Sequence, residues 1–105
     1  MGVKVTTRDN SCRVCLQGEL TIYKVAEYRQ TLLDSCQWDR DIDVDLSEVS
    51  ELDSAGLQLL AALHRQVLES GNKLECIGAS EVAVSAFELC HFSDVLNCER
   101  EGSRR

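Results

Sequence analysis

Residues 43–60 read DVDLSEVSELDSAGLQLL, and a change of period inside this stretch decides the fold. With Ile42 in front of it, the order Ile42-Asp43-Val44-Asp45-Leu46 alternates apolar and acidic side chains, the period-two pattern of a strand with one buried side. Past Asp53-Ser54-Ala55-Gly56 the period lengthens. At 100° per residue, Leu57, Leu60, Leu63, His64, Val67 and Leu68 share one broad face, while Gln58, Ala62, Arg65, Gln66 and Glu69 occupy the other. This helix is expected to stop at Gly71, which supplies left-handed cap geometry, with Asn72 helping the chain to turn. Residues Ser47 to Leu52 read as the connection. Asp43 and Asp45 inside a strand argue against a sheet buried equally on both faces.

Upstream, Val3, Val5 and Thr7 suggest a short first strand, and Cys12, Val14 and Leu16 a second. Arg8 to Ser11 connects them, with Asp9-Asn10 suited to a tight hairpin. Gly18 interrupts the alternation. Thr21 is placed to cap a helix that begins at Ile22 and ends near Gln37, whose apolar stripe is Ile22, Val25, Tyr28, Leu32 and Cys36. Downstream, Lys73 to Gly78 forms a strand. A third helix over Glu81 to Cys90, capped by Ser80, turns Ala83, Ala86, Phe87 and Cys90 inward, and Val95-Leu96 forms a last short strand. The order β-β-α-β-α-β-α-β requires right-handed crossovers, hence parallel strands behind an antiparallel first one. The expected fold is α/β: a mixed four- or five-stranded sheet with helices mainly on one face.

At 105 residues the chain has room for one domain, 1–105, with 99–105 as a charged flexible tail. No run approaches the roughly 18 apolar residues that span a bilayer, so direct membrane insertion is not expected. The start MGVKVTTRDN has no apolar core behind a basic segment, which makes the cytoplasm the expected location. Eighteen acidic against eleven basic residues give a net charge of -7. That surface repels phosphate backbones, and no basic cluster offsets it, so nucleic acid is not an expected partner. Six cysteines in a reducing compartment are expected to be mostly thiols.

Catalytic chemistry finds little support. Ser54 and His64 could serve as nucleophile and base, but ten helical residues at 1.5 Å rise separate them by about 15 Å. Cys12 and Cys15 point to opposite faces of a strand, poor geometry for holding one ion, and no metal is expected. Phosphate-cradling glycine motifs are absent, and no cofactor is expected. What remains is Asp53-Ser54-Ala55-Gly56, where a strand feeds a helix. A capping serine is the plain structural account of Ser54. The functional account is a phosphoacceptor on a turn, where a phosphate would add about 1.5–2 negative charges beside Asp53.

These residues carry a resemblance. With Gly18-Glu19-Leu20-Thr21 upstream, the quoted stretch resembles the STAS domain family, which includes bacterial anti-sigma-factor antagonists. The resemblance runs over almost the whole chain. It implies a regulatory protein-interaction switch rather than an enzyme, with Ser54 as the residue phosphorylated by a partner kinase that is also an anti-sigma factor, and a phosphatase restoring the binding form. It further implies a docking surface made of Asp45, Ser47, Asp53, Ala55, Gly56, Leu57 and Gln58. Other relatives imply an alternative: a subunit that is not phosphorylated and binds the ATPase of a phospholipid-transport complex or a signalling assembly.

Overall fold

The strand alternation translates directly into a two-sided sheet. The computed structural model describes residues 2–7, 11–36 and 39–89. Its elements are β1 (Val3–Thr7), β2 (Ser11–Leu20), α1 (Val25–Ser35), β3 (Asp41–Leu52), α2 (Ser54–Glu69), β4 (Leu74–Ala79) and α3 (Glu81–Leu89). The strands lie in the order β1-β2-β3-β4. β1 runs antiparallel to β2, while β2, β3 and β4 are mutually parallel. Cys12, Val14, Leu16, Ile42, Val44 and Leu46 are sealed from solvent, and Arg13, Cys15, Gln17, Asp43 and Asp45 between them are only half covered.

Tyr28 and Leu32 of α1, Leu57, Leu60, Leu63 and Val67 of α2, and Ala83 and Phe87 of α3 join the strand residues in a single core. The sheet is therefore mixed and four-stranded, with its helices mainly on one face. Each fully buried Leu, Ile or Val contributes about 1.5–3 kcal/mol of transfer free energy to that core. The expected strand at Val95-Leu96, the Asp9-Asn10 hairpin tip, Trp38, Cys90 and the tail 99–105 lie outside the described residues.

The structure corrects the expected boundaries in three places. β2 does not stop at Gly18 but continues to Leu20, with register shifts against β3 on both sides of that glycine. Gly18 has φ +94°, and a Cβ there would sit 3.1 Å from the Tyr28 hydroxyl. The glycine thus clears a path for the Tyr28 O–H, which donates to the Gln17 carbonyl. Burial first, then Glu19 and Glu27, push the Tyr28 hydroxyl pKa up.

β3 likewise runs through residues 47–52, because its partner strand continues beside it: Gln17 pairs with Glu48, Gly18 with Val49, Glu19 with Glu51 and Leu20 with Leu52. α1 begins at Val25, not Ile22. Thr21 instead opens a turn whose carbonyl accepts from the Lys24 and Val25 amides, and its own side chain is buried.

α2 ends as its composition requires. The Gly71 amide donates to Leu68 O and the Asn72 amide to Val67 O, the paired closure of a Schellman motif, with Gly71 at φ +83°. No neighbouring atom would obstruct a Cβ at Gly71, so only backbone strain opposes one. Gly71→Ala is expected to lower stability by about 1 kcal/mol, measured by urea denaturation, and an unchanged midpoint would contradict the cap. One expectation about this helix fails at its end: Leu68 is 52% exposed, whereas Leu59 is buried.

Cys12 and Cys36 meet inside the core. Burial and the neighbouring Cys12 push the Cys36 thiol pKa up to about 12. Cys12, Cys15 and Cys36 are free thiols. Among the described residues, no helix is long and apolar enough to cross a membrane.

Candidate functional site

Two chain crossings meet at the carboxyl end of the sheet, because Leu20 and Leu52 are register partners and end β2 and β3 together. From Leu20 the chain enters the Thr21–Lys24 turn, and from Leu52 it passes through Asp53 into α2. Asp53 is the N-cap, in extended backbone with φ -114° and ψ -172°. Its Oδ1 accepts from Ala55 N at 3.0 Å and Gly56 N at 3.1 Å. Its Oδ2 accepts from Ile22 N at 3.0 Å, 31 residues away in sequence.

Two donors in the first helical turn are thus satisfied by the carboxylate, and Ser54 is released from capping. Ser54 stands as the first residue of α2 with an exposed side chain. A Cβ on Gly56 would lie 2.3 Å from Leu20 O and 2.6 Å from Leu52 Cδ1, so the closeness of the two crossings depends on that glycine.

The Ile22 amide is the largest influence holding the Asp53 carboxyl below the usual carboxylate range. Desolvation opposes it, and the Gly56 and Ala55 amides add to it. A depressed folded-state value means that the stabilisation is complete above the ordinary Asp pKa of about 3.9 and is lost as pH falls through the lower folded one. The Asp53 carboxyl carbon is therefore expected to titrate below that ordinary value in an NMR pH series. A midpoint at or above it would contradict the double acceptor role.

The residues implied by the resemblance fall into three groups. Asp53, Ser54, Ala55 and Gln58 gather at the start of α2, where Ser54 and Gln58 are exposed and Ala55 is half-buried. Gly56 and Leu57 are buried, so they shape this turn from beneath. Asp45 and Ser47 sit within β3, where the Ser47 amide donates to Asp45 Oδ1 at 2.9 Å. Because β3 extends to Leu52, Ser47 and Asp45 stand roughly 17 and 23 Å along the strand from its end.

His64 is half-buried on α2 and lines a cavity of about 440 Å³ with Leu68, Lys73, Leu74, Glu75, Cys76 and Ile77. It stands almost three helical turns from Ser54. Cys12 is buried and Cys15 half-buried on the opposite sheet face. Among the described residues, no group of three or more potential ligands could hold a metal ion.

Sequence reading missed Ile22, which is 66% exposed beside Asp53; Tyr23, which the sequence offers as a surface contact or as layer-edge packing, follows it at 88%. Helical spacing drew Ile22 into the stripe of α1. The signal against that placement was the Gly-Glu-Leu-Thr run continuing β2 to the sheet edge.

The comparisons with known proteins agree with this architecture. A family model described as "Mlab, STAS domain" matches residues 3–97, and the chain belongs to the STAS domain family. The anti-sigma-B factor antagonist of Staphylococcus aureus is 31% identical over 98 residues, covering 92% of this chain and 91% of that protein. A crystal structure of an anti-sigma factor antagonist from Mycobacterium paratuberculosis superposes with TM-score 0.78 at 18% identity, over 91% of this chain and 82% of that one. The anti-sigma factor antagonist SpoIIAA in its unphosphorylated form gives TM-score 0.71 at 14% identity, over 94% and 87%. The chain is thus an anti-sigma-factor-antagonist-like STAS domain, and its named relatives are regulatory proteins.

Proposed function

We propose that this protein is a serine-controlled docking switch: its unmodified form binds an anti-sigma factor through the surface around Ser54, and phosphorylation of Ser54 by that partner, acting as a kinase, ends the complex. The observation that carries this reading is the exposed Ser54 hydroxyl on the first turn of a helix already capped by its neighbour. In the transfer, Ser54 Oγ bonds to the terminal phosphorus of partner-bound ATP, ADP leaves, and the serine proton is lost.

A helix N-terminus ordinarily stabilises an anion through its free amides. Here the Ala55 and Gly56 amides already serve Asp53 Oδ1. Added phosphate charge is therefore less neutralised by the helix and is projected outward beside a carboxylate, on a chain of net charge -7. The expected result is a bulky, strongly hydrated dianion standing inside the docked surface, where its volume and the cost of stripping its water oppose the complex, with little change in fold. The relatives named as anti-sigma-B factor antagonists, and SpoIIAA, whose unphosphorylated form has a structure of its own, support this direction.

The test is incubation with the anti-sigma factor of the same organism and ATP. A stoichiometric phosphate mapped to Ser54 supports the reading. An unmodified chain that copurifies with a transporter ATPase supports the transport-subunit alternative instead. In a titration, Ser54→Asp is expected to weaken binding of the anti-sigma factor at least about ten-fold, with thermal unfolding within a few degrees of the parent. Equal affinity would sink the switch.

A further inference from the structure

The turn between β2 and α1 is fastened to the start of α2 at three points. The Asp53 amide donates to Leu20 O at 3.2 Å, and the Ile22 amide donates to Asp53 Oδ2 at 3.0 Å. Gly56 packs so close beneath Leu20 that a Cβ would meet its carbonyl oxygen at 2.3 Å. On the far side, Thr21 O accepts from both the Lys24 and Val25 amides. Ile22 and Tyr23, 66% and 88% exposed, therefore project from backbone held on both sides. One exposed apolar side chain is ordinary on a protein surface. Two adjacent large ones on a fixed turn, next to the capping residue of α2, form a preorganised contact that loses little conformational freedom when covered.

We infer that Asp53 is a positioning residue: the carboxylate that caps α2 through Oδ1 also fixes, through Oδ2, an Ile22-Tyr23 anchor for a protein partner carrying an apolar pocket rimmed by Lys or Arg. The charge of that rim follows from the surroundings. Glu19 and Glu51 are register partners at the ends of β2 and β3, and both are exposed. Asp53 lies beside them, and Lys24 is the one cation within the turn. Tyr is among the side chains that most often dominate binding energy at an interface core. The inference rests on the docking reading for its partner, while the fastening itself stands independently of it.

Asp53→Asn and Asp53→Ser test it, because both residues remain good N-caps and both remove the second carboxylate oxygen. Hydrogen exchange by NMR is expected to be at least about ten-fold faster at the Ile22 amide in either variant, with the α2 amides as protected as in the parent. Unchanged Ile22 exchange in both variants overturns the positioning role. In titration with the purified anti-sigma factor of the same organism, both variants and Tyr23→Ala are expected to bind at least about ten-fold more weakly. In Tyr23→Ala, Ile22 exchange should stay at the parent level. Parent-like affinity for Tyr23→Ala overturns the anchor. A parent protein that does not bind at all sinks the antagonist reading and the anchor with it, while exchange at Ile22 still decides whether Asp53 fixes the turn.

Discussion

Leu63→Asp is expected to leave almost no folded protein at room temperature. Leu63 is 4% exposed at the centre of the buried stripe of α2. The substitution removes about 1.5–3 kcal/mol of transfer free energy and places a carboxyl group among Leu, Val and Ile side chains. Burying that group without a partner costs several kcal/mol more, whether it stays charged or takes up a proton. The sum is on the order of the whole 5–15 kcal/mol stability of a typical domain. Circular dichroism in a thermal scan should show no cooperative transition. Leu68→Asp is the internal control: it lies five residues on, is half exposed, and should cost less than about 1 kcal/mol. Parent-like melting of Leu63→Asp, or equal damage from both, would refute the assignment of the helix face.

Gly56→Ala carries the second large effect, and it comes from sterics rather than hydrophobicity. The new methyl group would meet the Leu20 carbonyl oxygen at 2.3 Å and Leu52 Cδ1 at 2.6 Å. The first of these is backbone and cannot rotate away. Overpacking of this kind costs about 3 kcal/mol at the upper end of its usual range, and the better helix propensity of Ala returns about 1. A net loss of about 2 kcal/mol should lower Tm by roughly 8–16 °C for a domain of this size. The same methyl group pries β2 away from α2, so exchange at the Ile22 amide should rise in parallel. A melting temperature at or above that of the parent would mean that the two crossings are not as close as described.

Much of this architecture was readable in the residues. Ile42, Val44 and Leu46 alternate with acids and are buried as that pattern requires, and Gly71 ends α2 with positive φ. The length of β3 was hidden because its second half shifts register. After Leu46 the next buried residue is Val49, and the spacing of three disguises a continuing strand. Thr21 misled for a different reason. A hydroxyl residue before a helical stripe usually caps it, yet here the strand runs on to Leu20, and a turn intervenes before α1.

At the candidate site, the exposed serine at the head of α2 was legible from the change of period. The bond from Ile22 to Asp53 was not. It joins residues 31 positions apart, and only the pairing of Leu20 with Leu52 brings them together. The burial of Gly56 was equally hidden, whereas Leu57 already stood on the apolar face of the helical period.

Assigning the cap to Asp53 makes position 54 nearly silent in folding. Any residue compatible with a first helical turn can stand there at little thermodynamic expense, so under the proposed switch a saturation library at that codon would vary partner binding while leaving abundance almost constant. The two properties are separable in this protein because the carboxylate next door has already taken over the anchoring duty that a serine at a helix start would otherwise share.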